Sequence, residues 1–133
     1  MPADFELDES RRIVFSRAWG DLTDAELLDH MARMKDAHER GQIDSRWAQV
    51  ADFSAVRSMN GVSSSGVRAL ADGNPWHEES IRVLVVPEDV QYGLARMYQM
   101  LGEPKTNRVV LVRSVAEAIA RVEDRSAAQG NLT

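Results

Sequence analysis

Residues 50–67 read VADFSAVRSMNGVSSSGV, and this stretch decides the fold because it joins a strand to a helix. It continues a short apolar run over residues 47–53, which is typical of a buried strand. Its end holds three serines, and Ser63 or Ser64 can cap a short helix that follows. Between the two, Asn60-Gly61 predicts a turn within a mobile loop.

The chain before this stretch predicts a hairpin followed by a helix. Residues 5–8 and 12–19 have the pattern of two strands, and a polar turn joins them. The next segment, Thr23-Asp24-Ala25-Glu26, fits a capping box in which Thr23 caps the helix and Glu26 reaches back. Gly41 is a credible end for that helix.

The chain after this stretch alternates strands with helices. Residues 81–86 (IRVLVV) and 108–113 (RVVLVR) predict strands. A helix over residues 87–103 follows the first, and a helix with a capping box from Ser114 follows the second. The order ββαβαβαβα predicts an α/β domain with a mixed sheet of about five strands and about four helices. We expect one domain over residues 1–125 and a flexible tail over residues 126–133.

Composition excludes several classes of function. The 133 residues include no cysteine, which excludes disulfides, thiolate metal sites and cysteine nucleophiles. The net charge of −5 argues against nucleic-acid binding and against strong attraction to anionic membranes. The apolar runs near the strands are far too short to span a bilayer, so we expect any membrane association to be peripheral. The first twelve residues are acidic and polar, unlike a signal peptide, so we expect a cytoplasmic protein.

Two segments of the chain carry a family resemblance. DFSAV at residues 52–56, followed by SSSG at residues 63–66, resembles the signature of STAS domains, where Asp-hydrophobic-Ser-small-Val leads through a loop to Asp-Ser-Ser-Gly. Over residues 10–123 the chain is similar to small SpoIIAA-like bacterial proteins, with GVSSSGVRALA, VVPEDVQYGLARMYQML and SVAEAIARV as further matches. The resemblance implies a SpoIIAA-like, STAS-type fold and a regulatory or ligand-binding module.

The resemblance also implies a site. In anti-sigma-factor antagonists the first serine of the pair is phosphorylated, and it corresponds to Ser64. Ser63 stands where those proteins have an acid, and the loop before it is longer than theirs. We therefore expect a phosphoacceptor or partner-binding loop over residues 56–65, formed by Ser63, Ser64 and Ser65 with Asp52 and Ser54. Helix capping by one serine, with the other two solvated, is the alternative.

The helix over residues 87–103 predicts a second surface. Tyr92 lies opposite its apolar stripe, while Tyr98 and Met100 flank that stripe. Aromatic and methionine side chains adapt well to partners, so these three predict a face for a ligand or partner and a weak homodimer. Packing of Tyr98 and Met100 in the core is the alternative.

The residues suggest no catalytic group, metal site or cofactor. His30 and His38 are too far apart along the first helix to share one metal ion, and no nucleophile, base and orienting group can be identified together. The first hypothesis is a non-catalytic regulatory or protein-binding module of STAS type. The second is a carrier of a small apolar or lipid-like ligand, held between the sheet and the helix that bears Tyr92 and Met100. An enzyme is the third.

Overall fold

The computed structural model describes residues 3–73, 76, 80–102 and 109–131. The predicted element order is confirmed. The elements are β1 (Ala3–Asp8), β2 (Ile13–Thr23), α1 (Asp24–Glu39), β3 (Ala48–Gly61), α2 (Ser64–Asp72), β4 (Arg82–Val85), α3 (Asp89–Gly102), β5 (Val109–Val112) and α4 (Val115–Asn131). Helix α4 therefore includes residues 126–131, which the sequence assigns to a tail.

The strands form one five-stranded sheet in the order β1-β2-β3-β4-β5. As predicted, β1 pairs with β2 in the antiparallel direction, and all later pairs are parallel. Helix α4 packs on one face, where Val83 and Val85 of β4 meet Ala118. The alternate residue Leu84 faces the other way and meets Ala95 of α3. The helices α1, α2 and α3 share this second face of the sheet.

Local capping sets the helix starts where the sequence predicts them. The hydroxyl of Thr23 accepts a hydrogen bond from the Glu26 amide at 3.3 Å and donates to the Glu26 carboxylate at 2.7 Å. At α4, the Ser114 hydroxyl accepts from the Glu117 amide at 3.2 Å. The bonds from the Glu26 and Glu117 amides satisfy first-turn donors that have no partner within the helix.

Strands β2 and β3 are longer than predicted. They continue past β4 and stay paired as far as Thr23 and Gly61, through three register shifts. The predicted turn at Asn60-Gly61 is present at the end of this pairing, since the Val62 amide donates a hydrogen bond to the Met59 carbonyl at 3.0 Å across those two residues. Much of the expected loop over residues 56–65 is nevertheless strand. Pairing persists because Val56 and Met59 are buried with Leu22 in one cluster. Bulges take up the extra residues of β3, and they disturb the period-2 pattern by which a strand is recognised.

Candidate functional site at the start of α2

The three predicted serines lie together where α2 begins, and they have different partners. Ser63 is the N-cap, and its hydroxyl accepts a hydrogen bond from the Gly66 amide at 3.1 Å. The Ser65 hydroxyl lies 3.2 Å from that of Ser63. Ser64 is exposed, and its hydroxyl makes no hydrogen bond to any residue that the structure describes. Ser64 is therefore the serine whose oxygen is available for chemistry.

An acid from another helix completes this cluster. Asp24, the first residue of α1, accepts hydrogen bonds from the Ser63 amide at 2.9 Å and from the Ser63 hydroxyl at 2.5 Å. These bonds lower the pKa of Asp24, so its carboxylate is ionised at neutral pH. Asp24 thus brings a carboxylate next to the serines, whose motif has Ser63 in place of an acid. Sequence reasoning missed it, because 39 positions separate the two residues.

Gly66 allows the starts of α1 and α2 to approach this closely. A Cβ atom at Gly66 would lie 2.0 Å from Oδ1 of Asp24 and 2.3 Å from its Cγ. The added side chain or the Asp24 carboxylate would then have to move, and the bonds between Asp24 and Ser63 would be lost. The glycine that ends the family-like motif thus serves a contact between two helices.

Asp52 and Ser54 form a separate local turn. Oδ1 of Asp52 accepts hydrogen bonds from the Ser54 amide at 2.9 Å and the Ser54 hydroxyl at 2.5 Å. The first register shift between β2 and β3 falls at this point, between Asp52 and Ala55. Within the described part of the chain, no hydrogen bond joins this pair to the three serines. The structure therefore divides the predicted site into two polar groups.

The three residues predicted to form a surface on α3 do not share one. Tyr92 is 36% exposed, and its ring lies 4.5 Å from the Arg113 guanidinium in a cation–π contact. Met100 is 57% exposed. Tyr98 faces inward, where its hydroxyl accepts a hydrogen bond from Nη1 of Arg82 at 3.1 Å, and burial raises its pKa. Tyr98 therefore belongs to the interior, and only the other two face solvent.

A cavity of about 110 Å³ lies between the sheet and α1, α2 and α3. Its walls are mostly apolar, with polar side chains that include Ser16, His30, Gln49 and Tyr98. Nε2 of Gln49 donates to the Ser16 hydroxyl at 3.0 Å, and that hydroxyl lies 3.1 Å from Nε2 of His30. Burial and then the charge of Arg33 lower the pKa of His30 to about 4, so its ring is neutral at physiological pH. Sequence reasoning missed this group.

No helix in the described part of the chain is both long and apolar enough to cross a membrane. This finding covers α1 to α4 within their described bounds.

Comparison with known proteins identifies the fold. Neither a protein-family model nor a curated protein sequence matches the chain. The structure of the anti-sigma factor antagonist SpoIIAA in its unphosphorylated form is similar, with a TM-score of 0.59 and 17% identity over 91% of this chain and 97% of that one. The structure of the Bacillus cell fate determinant SpoIIAA in its phosphorylated form has a TM-score of 0.55 and 20% identity, over 90% of this chain and 99% of that one. The predicted SpoIIAA-like fold is confirmed.

Proposed function

We propose that this chain is a non-catalytic regulatory module that binds a partner protein at the start of α2 and is switched by phosphorylation of Ser64. One observation carries the proposal. Ser64 is exposed with an unbonded hydroxyl, while its neighbour Ser63 performs the capping. The similar SpoIIAA structures, in unphosphorylated and phosphorylated forms, support the same kind of function.

The geometry gives the two serines different tasks. Ser63 holds α2 to α1 through Asp24, so its hydroxyl is committed to structure. Ser64 lies in the first turn of the helix, where free amides and the helix dipole favour an added phosphate. Modification of Ser64 therefore leaves the cap in place and changes the surface above it.

Asp24 determines how strongly a phosphate would act. The modification adds roughly −1.5 to −2 charges at neutral pH. The carboxylate of Asp24, which is bonded to the adjacent Ser63, is ionised and repels this new charge. We infer that phosphorylation weakens the bond between Asp24 and Ser63 and alters partner binding through both charge and position.

Affinity capture from cells of the source organism tests the proposal. The baits are the wild-type chain, Ser64→Asp, and Ser10→Asp as a control at the β1–β2 turn, the opposite end of the sheet. We expect one protein to bind the wild type and Ser10→Asp and to be lost from Ser64→Asp. Capture that is the same for all three baits would show that the start of α2 is not the binding surface.

Mass spectrometry of the chain purified from the same cells tests the switch separately. We expect phosphate on Ser64 and not on Ser63, whose hydroxyl is bonded to both Asp24 and the Gly66 amide. Phosphate on Ser63 alone would contradict the division of tasks between the two serines.

A weak homodimer through α3 stays a prediction. Among the α3 side chains that the structure describes, Met100 is the most exposed large apolar one, and Tyr92 lies on the same helix. Sedimentation equilibrium at high micromolar concentration should detect self-association of the wild type and less of it in Met100→Lys. A wild-type chain that stays monomeric under those conditions removes the prediction.

A further inference from the structure

The cavity between the sheet and the helices exists because small side chains leave a space there. Helix α2 packs on α1 and α3, and all three helices contribute apolar side chains to the walls. Several residues that line the cavity are small and buried, and these are Ser16, Ala18, Ala51 and Ala95. The space is therefore part of the interior of the fold and is not a groove on its surface.

The volume of this cavity suits a molecule of about one hydrocarbon ring. Protein interiors have few voids larger than a water molecule, whereas this cavity measures about 110 Å³. An apolar cavity of roughly 150 Å³ is known to bind benzene or xenon, so a somewhat smaller one suits a ligand of that size or less. Its walls include three methionines, whose flexible side chains adapt to the shape of a ligand: Met31, Met34 and Met59.

The uncharged polar side chains in the walls are bonded to groups of the chain itself. Three of the bonds run from Nε2 of Gln49 to the Ser16 hydroxyl at 3.0 Å, from Nη1 of Arg82 to the Tyr98 hydroxyl at 3.1 Å, and from Nε2 of Gln91 to the Phe53 carbonyl at 3.1 Å. Buried polar groups that already have partners gain little from a polar ligand. The walls therefore favour a ligand through its apolar surface.

The residues that line the cavity also carry no net charge. Arg17 and Asp52 have opposite charges and are register partners on β2 and β3. His30 is neutral at physiological pH, because burial lowers its pKa to about 4. A carboxylate or an ammonium group that entered the cavity would lose its hydration without gaining an excess of opposite charge. The walls therefore disfavour charged ligands of either sign.

We propose that this cavity binds a small uncharged apolar molecule, of about the size of one hydrocarbon ring, between the sheet and the helices. Transfer of the apolar surface of such a molecule from water into the cavity is favourable, and the contacts it makes replace those that the small side chains leave unmade. Ser64 is not among the described residues that line the cavity. The proposal therefore stands whether or not the chain is a phosphorylation switch.

Titration of the isotope-labelled wild-type chain near neutral pH, followed by NMR, tests the class of ligand. Benzene, benzoate and benzylammonium share one ring and differ in charge. We expect benzene to bind with a dissociation constant of about 1 mM or below, and the two ions to bind at least about tenfold more weakly. The methyl signals of Ala18, Ala51 and Ala95 should shift with benzene. No saturable binding of benzene, equal binding of either ion, or shifts confined to residues outside the cavity would overturn the proposal.

Variants that fill the cavity test the position of the ligand. Ala95→Leu extends a side chain into the cavity from α3 and should weaken benzene binding at least about tenfold. The matched control Ala116→Leu makes the same change at an exposed position of α4, on the other face of the sheet, and should bind benzene as the wild type does. Wild-type affinity in a folded Ala95→Leu would refute the proposed position. If overpacking prevents Ala95→Leu from folding, the smaller change Ala51→Val, from β3, serves the same test.

Discussion

Acidification should weaken this fold through one buried histidine. His30 is held neutral beside Ser16, and its pKa is lowered from 6.5 to about 4, mainly by burial and further by the charge of Arg33. The perturbation that isolates this effect is His30→Gln. Glutamine can hydrogen-bond to Ser16 and does not titrate.

The direction of the effect follows from the pH at which the folded and the unfolded chain each bind a proton at His30. The unfolded chain protonates His30 near pH 6.5 and the folded chain only near pH 4, so the unfolded state binds more protons between these values. The free energy of unfolding therefore falls as the pH falls through this window. Each pKa unit corresponds to about 1.4 kcal/mol, and the loss reaches about 3 kcal/mol at its lower end. The lowered pKa values of Asp8, Asp21 and Asp24 also reduce stability as the pH falls, but mainly near and below their usual value of 3.8, at the acidic end of this window.

Urea unfolding of the wild type and His30→Gln, at several values between about pH 7 and pH 4, measures this effect. The wild type should lose stability across the window, and the variant should lose much less. His38→Gln is the matched control, since His38 lies on the same helix and bonds to the Met34 carbonyl. It should keep the wild-type pH dependence. If the free energy of unfolding falls equally with pH in the wild type and in His30→Gln, the assignment of a buried neutral imidazole is refuted.

Three further predictions concern single side chains, each measured by equilibrium unfolding. Ser63→Ala should lower the free energy of unfolding by about 1 kcal/mol, because it removes the cap of α2. Ser64→Ala should lower it by less than about 0.5 kcal/mol, and the reverse order would contradict the cap assignment. Gly66→Ala should destabilise the wild type, yet in an Asp24→Ala background it should stabilise by up to about 1 kcal/mol through helix propensity. The same effect in both backgrounds would show that the contact with Asp24 is unimportant. Arg82→Met should leave stability unchanged or raise it, and a loss above about 3 kcal/mol would reveal an anionic partner within the folded chain.

The sequence predicts the elements well where the signal is local. Thr23 and Ser114 cap their helices through bonds to residues three positions later, and such spacings are visible in the sequence. The apolar runs of β4 and β5 are equally local. The continuation of β2 and β3 was not predictable in this way, because it depends on pairing between strands and on bulges that disrupt alternation.

The candidate site was predicted only in part for the same reason. The serines stand next to one another in the sequence, so their motif places them at a helix start. The carboxylate that binds them comes from Asp24, and only the packing of α1 against α2 brings it there. The polar side chains that line the cavity are harder still to predict, because Ser16 and Gln49 come from two strands and Tyr98 from α3, and only the packing of these elements brings them together.

The bulged pairing of β2 with β3 affects how this chain can change in length during evolution. Between the pairs Arg17–Asp52 and Thr23–Gly61, β2 advances by six residues and β3 advances by nine. An inserted or deleted residue in this part of β3 can change the number of bulges while both strand ends stay paired. Ser63 would then keep its place beside Asp24. An insertion or deletion here should therefore leave the site in place, and the spacing between the two halves of the motif is a poor measure of whether the site is preserved.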